Sequence, residues 1–179
     1  MSAATTGAAP GTAAGKVALL MGSDSDFPRL EPGVAVLAKL GIPFEARVLS
    51  AHRTPKAVVQ FVEEAPKRGV RVFLCAAGGA AHLAGVVAAH TDLPVIGIPM
   101  DNPPLGGLDA LLSTVQMPGG VPVAAVGAGA GGPVNAALFA ARVLALSDAA
   151  LALRYAAWRE EESAKVVKKD AALQAKLPR

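Results

Sequence analysis

KVALLMGSDSDFPRLEPGVAVLAKLGIPFEARVLSAHRTP, residues 16–55, decides the fold. Its first run, Lys16–Met21, is short, apolar and stopped by Gly22, which predicts a buried strand. From Phe27 the apolar residues recur at helical spacing through Leu30, Val34, Leu37 and Leu40, and Gly41 ends the pattern. Pro28 and Pro32 limit where this helix starts, and Pro32 is expected to disturb its first turn. Phe44–Leu49 then reads as a second strand. A strand, a helix and a strand in so short a stretch form a βαβ unit, and such a unit pairs its strands in parallel.

The alternation continues downstream. Pro55–Arg68 predicts a helix closed by Gly69, Arg71–Ala76 a third strand and His82–His90 a helix. Pro94–Ile98 predicts a fourth strand, Leu108–Val115 a short helix, Pro122–Val126 a fifth strand and Pro133–Leu146 an Ala-rich helix. Asp148 to about Lys169 reads as a last helix with a polar face. The expected architecture is α/β: a three-layer sandwich around a five-stranded parallel sheet, flavodoxin-like or Rossmann-like, plus a C-terminal helix. Strands buried on both faces would also explain the 53% hydrophobic content. Neither an internal repeat nor a second domain is visible. The expected organisation is a disordered lead at 1–15, one domain at 16–170 and a tail at 171–179.

Charge narrows the function. Charged residues make up 17% of the chain, against about a quarter in a typical soluble protein, which predicts that subunits bury one another's surfaces. The net charge of +3 lies entirely from Arg154 onward, and the body up to Leu153 is neutral. A neutral body with few aromatics is a poor footprint for nucleic acid. Residues 110–141 carry no charge, yet Pro118, Pro122, Pro133 and the glycines from Gly127 to Gly132 cut them into strand, loop and helix rather than a membrane span. The first fifteen residues lack the basic and apolar regions of a signal peptide. The single cysteine, Cys75, sits in an apolar run and reads as a buried small residue; with no disulfide available, a reducing cytoplasmic location is expected.

In open α/β sheets, ligands bind beyond the carboxyl ends of the strands. Three such ends carry chemistry here. The first is Gly22-Ser23-Asp24-Ser25-Asp26, with hydroxyls and carboxylates before a helix. A carboxylate beside the free N–H groups of that helix start suits the hydroxyls of a ribose, and plain capping by Ser25 or Asp26 explains the loop equally well. The second end is Ser50-Ala51-His52-Arg53-Thr54-Pro55. Thr54 is a good N-cap and Pro55 suits the first helical position, so His52 and Arg53 stand just outside a helix N-terminus. Arg53 can pair with a phosphate there, and His52 can transfer a proton near neutral pH. The third end, Ala76 to His82, contains Gly78-Gly79-Ala80, small residues that let a ligand lie against backbone. From these residues alone His82 is a cap or core histidine and His90 a helix-end residue. No dinucleotide fingerprint, phosphate-binding P-loop, zinc spacing or serine-hydrolase elbow occurs, so neither metal nor cofactor is expected.

GSDSD at 22–26, SAHRTP at 50–55, AAGGAAHLAG at 76–85 and LLSTVQMPGGVPVA at 111–124 together resemble class I of the phosphoribosylaminoimidazole carboxylase family, the N5-carboxyaminoimidazole ribonucleotide mutases. The resemblance runs from about Lys16 to Leu146. It implies conversion of N5-carboxyaminoimidazole ribonucleotide to 4-carboxy-5-aminoimidazole ribonucleotide in purine biosynthesis, without ATP, metal or biotin. It implies His52 as general acid/base, Arg53 near the substrate phosphate, Ser23 and Asp26 as substrate contacts, and Ser25 and Ser50 as further polar pocket residues. The Gly78-Gly79-Ala80 backbone would lie beside the imidazole, with His82 lining the site, and the assembly would be an octamer. Phe27, Ala84, Val86 and the segment 100–105 (MDNPPL) depart from the family pattern. Two other functions fit the same residues. One is a class II carboxylase that uses free carbon dioxide; the other is a nucleotide-binding module without catalysis.

Overall fold

The computed structural model describes residues 15–178. All but the last residue of the lead expected at 1–15 lies outside the described residues. Five parallel strands form one sheet: β1 (Lys16–Met21), β2 (Phe44–Val48), β3 (Val70–Ala77), β4 (Val95–Pro99) and β5 (Ala124–Ala125). Their order is β2-β1-β3-β4-β5, the flavodoxin-like winding. The helices are α1 (Phe27–Lys39), α2 (Pro55–Glu64), α3 (Leu83–Ala88), α4 (Leu108–Val115), α5 (Gly132–Ala145) and α6 (Ala149–Gln174).

Alternation along the strands builds two cores. Val17, Leu19 and Met21 of β1, with Leu74 and Ala76 of β3, pack against α1 and α5. Ala18 and Leu20, with Phe73 and Cys75, face the other way onto α2 and α3. Fully burying a side chain such as Leu20 or Phe73 stabilises the fold by about 1.5–3 kcal/mol. Crossovers between parallel strands are right-handed. The chain steps from β1 outward to β2 and then back past β1 to β3. That reversal puts α1 and α2 on opposite faces. It also parts the loops that leave β1 and β3, opening a crevice at their carboxyl ends.

Several expectations are corrected. β2 and β5 are edge strands, so they are not buried on both faces: Phe44 and Val48 stay exposed, and β5 is only two residues long. Pro122 lacks the N–H a longer β5 would need for its ladder. Pro32 does not break α1, which runs through it; Gly33 allows the helix to close on α5, where an added Cβ would stand 2.5 Å from the Pro133 carbonyl oxygen. The second helix ends at Glu64 and tightens into a 3-10 turn at Ala65–Arg68 before Gly69. The helix after β3 is Leu83–Ala88, shorter at both ends than expected.

The final helix reaches Gln174, five residues past its expected end at Lys169 and into the expected tail. Asp148 caps it, its carboxylate accepting from the Leu151 N–H at 2.9 Å. Arg154 from α6 donates to the Leu40 carbonyl at 2.8 Å, satisfying the end of α1. Cys75 is buried, and loss of water pushes its thiol pKa up. Among the described residues, no helix is long and apolar enough to cross a membrane.

Candidate active site

The crevice is a cleft of about 310 Å³ at the carboxyl ends of β1, β2, β3 and β4. Gly22, Ser23, Ser25 and Asp26 line it from the first loop and Ser50, Ala51, His52 and Arg53 from the second. The third loop contributes Ala77, Gly78, Ala80, His82 and Leu83, and the fourth contributes Asn102. Three stretches far apart in the sequence thus meet at one place.

The first loop is a 3-10 turn, Asp24–Asp26, whose start Ser23 caps by accepting from the Ser25 N–H at 3.3 Å. The Ser23 and Ser25 hydroxyls are 2.8 Å apart, so they share a hydrogen bond and present a paired hydroxyl surface. Asp26 stands at the start of α1 but makes no capping hydrogen bond. The residue is only 6% exposed. Burial pushes its carboxyl above the ordinary aspartate value, and the Ser23 backbone and the Arg29 charge only partly offset this. A buried carboxylate at a cleft wall is a strong acceptor for ligand hydroxyls.

The second loop is tied down by its own residues. Thr54 occupies the N-cap of α2 yet does not cap it. Its hydroxyl instead accepts from the Ser50 N–H at 3.0 Å and donates to the Ser50 carbonyl at 3.1 Å, closing the loop. The Ser50 hydroxyl accepts from the Arg53 N–H at 3.1 Å and more loosely from Nε at 3.4 Å. Arg53 Nη2 donates to the Gly22 carbonyl at 2.6 Å, locking the second loop onto the first. These bonds leave Arg53 Nη1 without a protein acceptor among the described residues, beside the N-terminus of α2. That combination suits an anion.

His52 and His82 meet across the cleft. His52 Nε2 lies 2.8 Å from His82 Nδ1, with the rings edge-to-face. One nitrogen must donate and the other accept, so the contact holds a single proton between two imidazoles. His82 precedes α3 without capping it, so neither reading made from its own segment, cap or core, holds. His90 follows the C-terminus of α3, exposed, as expected of a helix-end residue.

Gly78 lines the cleft and Gly79 does not. Gly79 makes the turn, with φ at +62°, while Ser113 Oγ behind it donates to the Asp109 carbonyl at 2.7 Å within α4. The same Ser113 oxygen accepts from the Ala81 N–H at 3.0 Å, so α4 holds this loop from behind. Neither Ser113 nor Asn102 was singled out from sequence. Asn102 follows β4, and the rule that ligands bind at strand carboxyl ends applies to it equally.

The sequence model of the AIR carboxylase family matches residues 16–165. The chain is 50% identical over 159 residues to the N5-carboxyaminoimidazole ribonucleotide mutase of Mycobacterium tuberculosis, covering 89% of this chain and 90% of that one. It is 49% identical over 153 residues to the enzyme of the same name from Brucella melitensis, covering 86% of this chain and 94% of that one. The crystal structure of Treponema denticola PurE superimposes with a TM-score of 0.80 at 31% identity, over 88% of this chain and 98% of that chain.

Proposed function

Because the chain belongs to the AIR carboxylase family, we propose that it is an N5-carboxyaminoimidazole ribonucleotide mutase of purine biosynthesis, with His52 moving the proton. The observation that carries the assignment of the proton-moving group is the 2.8 Å contact between His52 and His82 inside the cleft. The substrate phosphate sits against Arg53 and the start of α2. The ribose hydroxyls sit against Asp26, Ser23 and Ser25, with Ser50 bracing Arg53. The imidazole and its carboxyl lie along Gly78 and Ala80, before His82.

The reaction balances within the cleft. A proton from the histidine pair goes to the carbamate nitrogen as the N–C bond breaks and carbon dioxide leaves. The ring carbon C4 attacks the carbon dioxide and forms the new C–C bond. C4 then gives up its proton to the same pair, so no net proton is consumed. Holding carbon dioxide against its acceptor is a proximity effect, and ligand filling the cleft keeps it from water. The chemistry asks for no cofactor, because the transferred group never leaves the site.

We also infer a homo-octamer in the cytoplasm. Exposed Leu105, Leu108, Leu112, Phe139 and Leu146, with the low charge content, support burial between subunits. The decisive assay supplies freshly made carbamate without bicarbonate and follows the C4-carboxylated product. Acceleration over the spontaneous reaction is expected, and its absence overturns the assignment. Turnover of aminoimidazole ribonucleotide that saturates with bicarbonate alone would instead identify a carboxylase.

A further inference from the structure

We propose that Asn102 is a substrate-contacting residue that reads the ligand's carboxylate, and that Arg29 sets the direction of its amide. This rests on the ligand class proposed above. A carboxamide has one accepting and one donating end, and its surroundings decide which way it points. Arg29 Nη1 lies 2.7 Å from Asn102 Oδ1, and a guanidinium has donors only, so the carbonyl end must face it. Arg29 is itself held at 3.1 Å by Asp101. The donor end, Nδ2, is thereby turned to Gly78, 2.2 Å from where a Cβ on that glycine would stand. Glycine at 78 is what makes room for the amide.

Among the described residues Nδ2 has no protein acceptor, and both Asn102 and Gly78 line the cleft. It therefore offers unused N–H donors to a ligand oxygen. The other anionic and hydroxyl groups of the ligand have partners elsewhere: Arg53 and α2 for the phosphate, Asp26 and the serines for the ribose. The oxygen left for Asn102 belongs to the carboxyl group, beside the loop that ends in His82.

Asn102→Asp tests this directly. It keeps the shape and the Arg29 contact and replaces the donor with an anion. Calorimetric titration of the full-length protein should show the Kd for the C4-carboxylated nucleotide rising by about thirtyfold or more, while that for uncarboxylated aminoimidazole ribonucleotide changes by less than about threefold. Asn102→Ala removes the donor without adding charge and should weaken only the carboxylated ligand, by about tenfold. If the Asp variant fails to fold, the Ala variant decides. Equal losses for both ligands, or no loss, overturn the role of Asn102 and leave the mutase assignment standing. A wild-type protein that binds neither nucleotide overturns both.

Discussion

Replacing His52 with Asn separates chemistry from binding and folding. The structural cost is small, because His52 is exposed and its ring makes one hydrogen bond, to His82. Losing that bond costs about 1 kcal/mol at most. The catalytic cost is larger. Asn cannot exchange a proton near neutral pH, and a positioned general acid/base contributes about 10²–10⁴-fold to rate, or about 2.7–5.5 kcal/mol of barrier. Arg53, Asp26 and the serine hydroxyls lie on other parts of the cleft wall, so ligand binding stays within about threefold of wild type, since none of their hydrogen bonds involves the His52 ring. The assay follows single turnovers of the carbamate at saturating enzyme, beside a thermal melt and a titration with the C4-carboxylated product. A variant that turns over at the wild-type rate refutes the role given to His52. Loss of binding in step with turnover refutes its separation from the anchoring residues.

Three further outcomes follow from the geometry. Burial raises the Asp26 carboxyl in the folded protein, so between the ordinary aspartate value and that raised value the folded state binds more protons than the unfolded state, and stability falls as pH rises through the window. Asp26→Asn should therefore make the ligand-free protein at least as stable at neutral pH and flatten that fall, read by denaturant melts across mildly acidic pH, while weakening nucleotide binding. Gly33→Ala places a methyl 2.5 Å from the Pro133 carbonyl oxygen and should lower stability by about 1–3 kcal/mol in a denaturant melt. Ser113→Ala removes the hydroxyl that holds Ala81 from behind and should lower kcat/KM about tenfold while leaving the neighbouring sheet intact by circular dichroism; unchanged kinetics would show that the loop holds itself.

The βαβ rhythm was legible because buried strands and amphipathic helices write their periods into the chain. Edge strands were not, since Phe44 and Val48 are as apolar as buried residues and only the sheet order shows that nothing covers them. Thr54 shows the limit of local rules: its type and position predicted a cap, but its hydroxyl found two partners on Ser50 instead. His90 is exposed just past the end of α3, where its own stretch of sequence places it. The cap-or-core reading of His82 failed because its partner stands thirty residues away in sequence, on another strand end.

Local chemistry by itself determined the strand-end loops and nominated His52, Arg53 and the glycines, because turns, helix starts and short apolar runs need particular residue types at particular spacings, while Asp26 was singled out only by the resemblance of the GSDSD loop. The tertiary structure decided what no single stretch contains: the reversal of strand order that opens the cleft, the His52–His82 contact across it, and the arginine clasp that turns Asn102 toward Gly78. Those depend on distances between segments that only the packing of α1 and α2 on opposite faces of the sheet can set.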